Sequence, residues 1–205
     1  MLNVLLVGLL ASALASPYGY LNYDAIVVRM RDLAQQHPEL VDFYDAQSAF
    51  GVPSPGTCSE NGASAPCKQY YMRITKKSTL PAVGTMDTRP EVFLSGCLHG
   101  DERIGPTTVT ELATLLLHNY NATSPNQWLK RLVETRSIWI MPSANALGYH
   151  QNVREENGVD PNRDFAFDQL PGSVPCLAFL SPPCFLPSLS TLCDTVFLPT
   201  LCVRV

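Results

Sequence analysis

His99 and Glu102 stand three residues apart on one short turn, an imidazole and a carboxylate that can address the same point. That pairing suits a zinc ion, which accepts both donor types in a tetrahedral site. A lone His-x-x-Glu is a common accident, so the flanking chain carries the weight. Val92-Phe93-Leu94 leads into Ser95-Gly96-Cys97-Leu98, and Gly105-Pro106 opens a helical pattern after the pair. Strand, tight turn and helix form the setting in which open α/β sheets place ligand sites. A second group of polar residues lies in Ser143–Asp164, dense in Asn, Gly and Arg. Arg154 reads as an isolated cation suited to an oxyanion. Asn162-Arg163 sets an amide beside a guanidinium, and a guanidinium grips a carboxylate with parallel hydrogen bonds. Gly158-Val159-Asp160-Pro161 reads as the turn that holds them. On chemistry alone, the bland alternative is a capped, solvated surface loop.

The elements around these groups follow from local pattern. Asn22 caps a helix running to about His37, with Ile26, Met30 and Leu33 on one face and Pro38 as the stop. Arg29, Arg31 and Asp32 fall off that face and read as solvated surface. Ser48–Pro66 reads as a loop, with turns at Pro53–Gly56 and Asn61-Gly62. Lys68–Lys76 alternates as a strand, and Leu80–Pro90 is a second loop. Val92–Leu98 reads as a central strand buried on both faces. The helix from Pro106 repeats Val109, Leu112, Ala113, Leu116 and Tyr120, widened by Leu115 and Leu117. His118 falls in its last turn and reads as surface or packing. Trp128–Glu134 is a short helical piece, and Ser137–Met141 is a third strand ending at Pro142. Strands alternating with helices predict an α/β fold, a mixed β-sheet flanked by helices.

Composition limits the function classes. A chain of 205 residues at net charge -4 can build one medium domain and has no basic footprint for nucleic acid. Met1–Ala15 reads as a signal peptide with an Ala13-Leu14-Ala15 cleavage site, which predicts a secreted, extracellular protein with no membrane span after cleavage. Seven cysteines fit an oxidising compartment, and the odd count leaves at least one unpaired within the chain. Cys58 and Cys67 flank a Gly/Ser/Asn/Pro-rich stretch and are candidate partners, the pairing of the seven cysteines being left open. Cys97, on an apolar strand, is expected to be a buried inert thiol. Asn121-Ala122-Thr123 is a glycosylation acceptor in a secreted chain.

Taken together, His99-Gly100-Asp101-Glu102, Ser137–Pro142, Asn145 to Tyr149, Arg154 and Gly158–Phe165 resemble the zinc metallocarboxypeptidases in spacing and order. Tyr23–Val41, with His37-Pro38-Glu39-Leu40, is similar to the start of such a catalytic domain. The resemblance implies an α/β/α sandwich and hydrolysis of C-terminal amino acids from peptide or protein C-termini with Zn2+. It implies His99 and Glu102 as zinc ligands, Arg154 as the group that polarises the scissile carbonyl, and Asn162 and Arg163 as holders of the substrate carboxylate. The two-His, one-Glu ligand set is the known one for carboxypeptidase A. The nearer subgroup is the one made without a propeptide. Asp164 stands where the family often has Asn.

The pattern then breaks. The family's second zinc His, its closing Tyr and its general-base Glu lie downstream, yet no His, Tyr or Glu follows Asn162. The four histidines are His37, His99, His118 and His150, and His150 stands outside the ligand pattern. Residues 170–205 carry six prolines and only two charges, Asp194 and Arg204. The expected organisation is a signal peptide over 1–15, a partial catalytic domain over 16–169 and a divergent Pro/Leu/Cys-rich tail over 170–205. The expected protein is a carboxypeptidase by family, truncated and inactive as it stands, with half a core and unpaired sheet edges. The rivals are a non-catalytic secreted protein that binds peptide C-termini and a zinc deacylase of acyl-amino acids.

Overall fold

The computed structural model describes residues 19–120, 127–163 and the backbone of Cys202–Val203. The expected signal peptide, the expected acceptor at Asn121, Asp164 and most of the expected tail lie outside the described residues.

Helix α1 spans Tyr23–Gln36 and is capped as its sequence requires, Asn22 Oδ1 accepting from the Ala25 N–H at 2.8 Å. Its buried face is Tyr23, Ile26, Val27, Met30 and Leu33. Strand β1, Val41–Asp45, follows at once, and Asp45 then caps the short helix α2, Ala46–Phe50. The region read as a loop before Pro66 is instead a hairpin, β2 (Thr57–Glu60) against β3 (Ala63–Pro66). Its Asn61-Gly62 turn has φ of 52° and 73°, the doubly left-handed form that a tight hairpin needs. Asp24 on α1 accepts from the N–H groups of Asn61 and Gly62 at 2.6 and 3.0 Å, and Cys58 is bonded to Cys67. The hairpin is therefore held by a helix carboxylate at its tip and a buried disulfide at its base. That tertiary support turned Gly/Ser/Pro-rich sequence into strand.

Strand β4 (Tyr70–Ile74), β5 (Glu91–Ser95), α3 (Ile104–His118), α4 (Gln127–Thr135), β6 (Ser137–Met141) and α5 (Ala146–Gln151) complete the order, with β7 at Cys202–Val203. The main sheet runs β1-β4-β6-β5-β7. Pairings β1–β4 and β4–β6 are antiparallel, whereas β5 and β6 are parallel with α3 and α4 in the crossover between them. The sheet is thus mixed and flanked by helices, as the alternating pattern implied. Buried Val41, Met72, Ile74, Ile138 and Ile140 share the face covered by α1 and α3. On the other face Tyr44 stacks on Tyr71, and Trp139 lies tilted beside both rings.

Four expectations need correction. Strand β5 stops at Ser95 and is only partly buried, because it lies beside the sheet edge. That edge is not bare over its whole length, since Val92 and Phe93 pair with Val203 and Cys202. Arg31 is not free surface: it pairs with Glu60 and donates to the Tyr70 hydroxyl at 3.0 Å, tying α1 to the hairpin. Leu115 does not join the core of α3 and is half exposed.

Candidate metal and carboxylate-binding site

The parallel pair β5 and β6 sends two chain segments out of the same end of the sheet, and the candidate residues lie on them. Their exits are held together by backbone: Gly96 N–H donates to Met141 O at 3.0 Å, and Asn145 N–H donates to Cys97 O at 3.3 Å. Glycine is required for this close approach. A Cβ on Gly96 would lie 2.1 Å from Pro142 O, and one on Gly100 would lie 2.1 Å from the Gly148 carbonyl carbon.

Ser143–Asp164 is not a continuous loop. It holds α5, capped by Asn145 through Gly148 N–H at 2.8 Å, and a 3-10 turn at Pro161–Arg163. Asn145 also donates Nδ2–H to Arg154 O at 3.1 Å, and Gly100 N–H donates to the same carbonyl at 3.1 Å. The Arg154 backbone is thereby fixed to the turn that carries His99.

His99 is buried, 6 % exposed, with Nδ1 2.9 Å from Glu102 Oε1 and Nε2 3.0 Å from Asp160 Oδ1. Glu102 is largely exposed. Asp160 is the residue that sequence reasoning missed, having read it only as part of a turn. Its Oδ1 also accepts the Asn162 N–H at 2.9 Å, and its Oδ2 takes Arg154 Nε and Nη2 at 3.2 and 3.1 Å. Burial pushes the Asp160 carboxyl up, but the Asn162 N–H, His99 and Arg154 together outweigh it and hold the group below its ordinary range. Arg154 is accordingly not an isolated cation: its guanidinium is committed to a carboxylate that also orients His99. Asn162 and Arg163 are both exposed on the 3-10 turn. Arg163 Nη1 donates to Asn162 O at 3.0 Å, leaving most of the fork open to solvent.

The donor set fits a cation. In the tautomer that donates Nε2–H to the Asp160 carboxylate, Nδ1 presents its lone pair to the Glu102 oxygen. Two acceptors cannot face each other at 2.9 Å without a proton or a metal ion to share. A metal-binding His with its second nitrogen on a carboxylate is the usual arrangement at zinc sites. Among the described residues no group of three His, Cys, Asp or Glu side chains gathers to hold a metal. His150 does not approach His99 and Glu102; its ring packs on Tyr23. Cys97 is buried, and burial pushes its thiol up to about 12, which matches the expected inert role.

Arg103, next to Glu102, stacks 3.8 Å over the Tyr149 ring and donates to the Tyr149 carbonyl, clamping α5 under the His99 turn. No helix among the described residues is long and apolar enough to cross a membrane.

Comparison with known proteins agrees with the geometry. A family model described as zinc carboxypeptidase matches residues 26–180. Carboxypeptidase E of Caenorhabditis elegans is 27% identical over 160 residues, which is 71% of this chain and 29% of that protein. The crystal structure of thrombin activatable fibrinolysis inhibitor superposes with a TM-score of 0.56 at 17% identity, covering 88% of this chain and 45% of that one. Carboxypeptidase A from Helicoverpa armigera gives a TM-score of 0.55 at 19% identity, covering 90% and 46%. The chain therefore spans under a third of the worm relative and under half of each solved chain.

Proposed function

The chain belongs to the zinc carboxypeptidase family, and on that premise we propose that it carries the first half of a secreted peptidase's catalytic domain. In this reading residues 1–15 are the signal peptide, 16–169 the partial domain and 170–205 a divergent tail. The substrate class is peptide or protein C-termini, in keeping with the family and with the exposed Asn162 and Arg163. A guanidinium beside an amide at the lip of a site suits a terminal carboxylate.

His99 and Glu102 would hold the zinc ion, with Asp160 fixing the His99 ring. When bound, zinc would polarise a carbonyl and lower the pKa of a coordinated water. The remaining roles belong to the protein. Asp160 orients His99 and Arg154 at once, so the imidazole and the cation that would meet a developing oxyanion are set by one carboxylate. Gly100 and Asn145 lock the Arg154 backbone to the same turn. What these 205 residues do not supply is a third ligand or a proton acceptor of the expected kind, since no His or Glu follows Asn162. We therefore assign these residues, taken alone, weak zinc binding and no peptide turnover.

The observation that carries this reading is His99 held between Glu102 and Asp160. Metal analysis after dialysis against zinc tests it, together with release of C-terminal amino acids from a peptide panel. We expect zinc uptake that falls in His99→Ala and in Glu102→Ala, and no hydrolysis. Zinc uptake untouched by both substitutions would remove the site assignment. A non-catalytic binding protein would instead show peptide affinity that depends on Arg163 and is indifferent to zinc. Transcripts read across the codons for Phe167 to Val174 test the partial-domain reading. A longer message that adds a His, a Tyr and a Glu in the family pattern is the expected outcome.

A further inference from the structure

Away from the His99 turn, two of the other three histidines stand together. His37 is the C-cap of α1 and His118 closes the last turn of α3, and their ring centroids lie 6.0 Å apart at 45°. The two helices run side by side in the same direction. One turn pair earlier, Arg29 on α1 donates to Glu111 and Thr114 on α3 at 3.2 and 3.4 Å, and the chain advances a similar distance from there to each histidine. Both C-terminal ends, with their partial negative charge, thus arrive at one place on the surface.

Neither imidazole has a hydrogen bond to the described residues, although Arg29 and Glu111 on the same seam are paired. Glu39 adds its negative charge beside His37. Burial lowers the affinity of His37 for a proton, and His118 lowers it further against the opposing pull of Glu39. A neutral imidazole is the form that binds a metal.

We propose that His37 and His118 form a second, surface cation site that takes a divalent late transition-metal ion through two ring nitrogens and staples the C-terminal ends of α1 and α3. Imidazole donors select copper, nickel and zinc over calcium and magnesium, and copper binds most strongly. Water completes the coordination on the open side. The site is independent of the His99 assignment and of the peptidase reading, and its ligands come from helices on the covered face of the sheet.

Copper titration of the full chain tests it, read by the nitrogen splitting in the electron paramagnetic resonance spectrum. Four proteins are compared: the parent chain, His37→Ala, His118→Gln and His99→Ala. A two-nitrogen copper signal is expected in the parent and in His99→Ala, and its loss in His37→Ala and in His118→Gln. Zinc should also raise the melting temperature of His99→Ala, and this rise should vanish when His118→Gln is added. His118 is exposed, so that change keeps the fold, and an unchanged metal-free melting temperature verifies it. The proposal is overturned if the copper signal survives both substitutions, or if it disappears only in His99→Ala.

Discussion

Asp160 lies 61 residues along the chain from His99, yet its Oδ1 sits 3.0 Å from His99 Nε2. Its other oxygen carries Arg154. One carboxylate therefore positions the proposed zinc ligand and the proposed oxyanion-stabilising cation. The adjacency of parallel β5 and β6 makes this possible, because their exits leave the sheet together.

Asp160→Asn tests that double duty. An amide can still accept a hydrogen bond but does not supply the charge that orders His99 and Arg154. Zinc affinity should fall by about 10–100-fold, the usual cost of losing a carboxylate behind a metal-bound His. Equilibrium competition with a chelator would measure it. Affinity equal to the parent's would show that Asp160 serves the loop alone.

Glu156 predicts a pH effect of the opposite kind to a salt-bridged acid. Its Oε2 is buried without a hydrogen-bond partner. Burial raises its carboxyl pKa, and the Leu147 N–H offsets this only in part. A carboxyl whose folded pKa is raised costs stability as pH climbs from its unfolded pKa of about 4.3 through the folded value. Glu156→Gln should therefore be more stable than the parent at neutral pH, with the difference fading as pH falls to about 4. Denaturant melts at the two pH values decide it. A variant that is less stable at neutral pH would mean the carboxylate has a partner in solution.

The Cys58–Cys67 bridge closes a short loop, with a sequence separation of 9. Replacing both cysteines by serine should cost roughly 2–3 kcal/mol through the unfolded state's regained freedom. The hairpin should loosen first, because Asp24 and Arg31 are its other ties to α1. Denaturant unfolding gives the loss, and hydrogen exchange at β2 and β3 shows where it falls.

Gly105→Ala should be among the most damaging single changes. A Cβ there would lie 1.8 Å from the Gly96 carbonyl oxygen, which is backbone and cannot rotate away. We expect a loss of about 3 kcal/mol or more from the forced separation of α3 and the β5 exit. Gly158→Ala is the control. It meets nothing within 4 Å, so its cost comes from its left-handed φ of 79° alone. Equal losses for the two would refute the close-packing account.

Sequence alone determined what short-range physics controls. Asn22 as a cap, Pro38 as a stop, Ser137–Met141 as a strand and the turn carrying His99 and Glu102 all follow from residues within a dozen positions of one another. Strand β1 escaped notice because Val-Asp-Phe-Tyr-Asp is five residues long and carries two aspartates, so its pairing with β4 decides it. The hairpin at Thr57–Pro66 looked like loop for the same reason, since its ties come from Asp24 and Arg31 far behind it. Asp160 could not be assigned to His99 from spacing, because periodicity holds no information about which strands become neighbours. Strand order and register settled that contact, together with the pairing of Arg154 and the meeting of His37 with His118. Such contacts depend on packing the whole sheet and its helices at once, and only the tertiary structure does that.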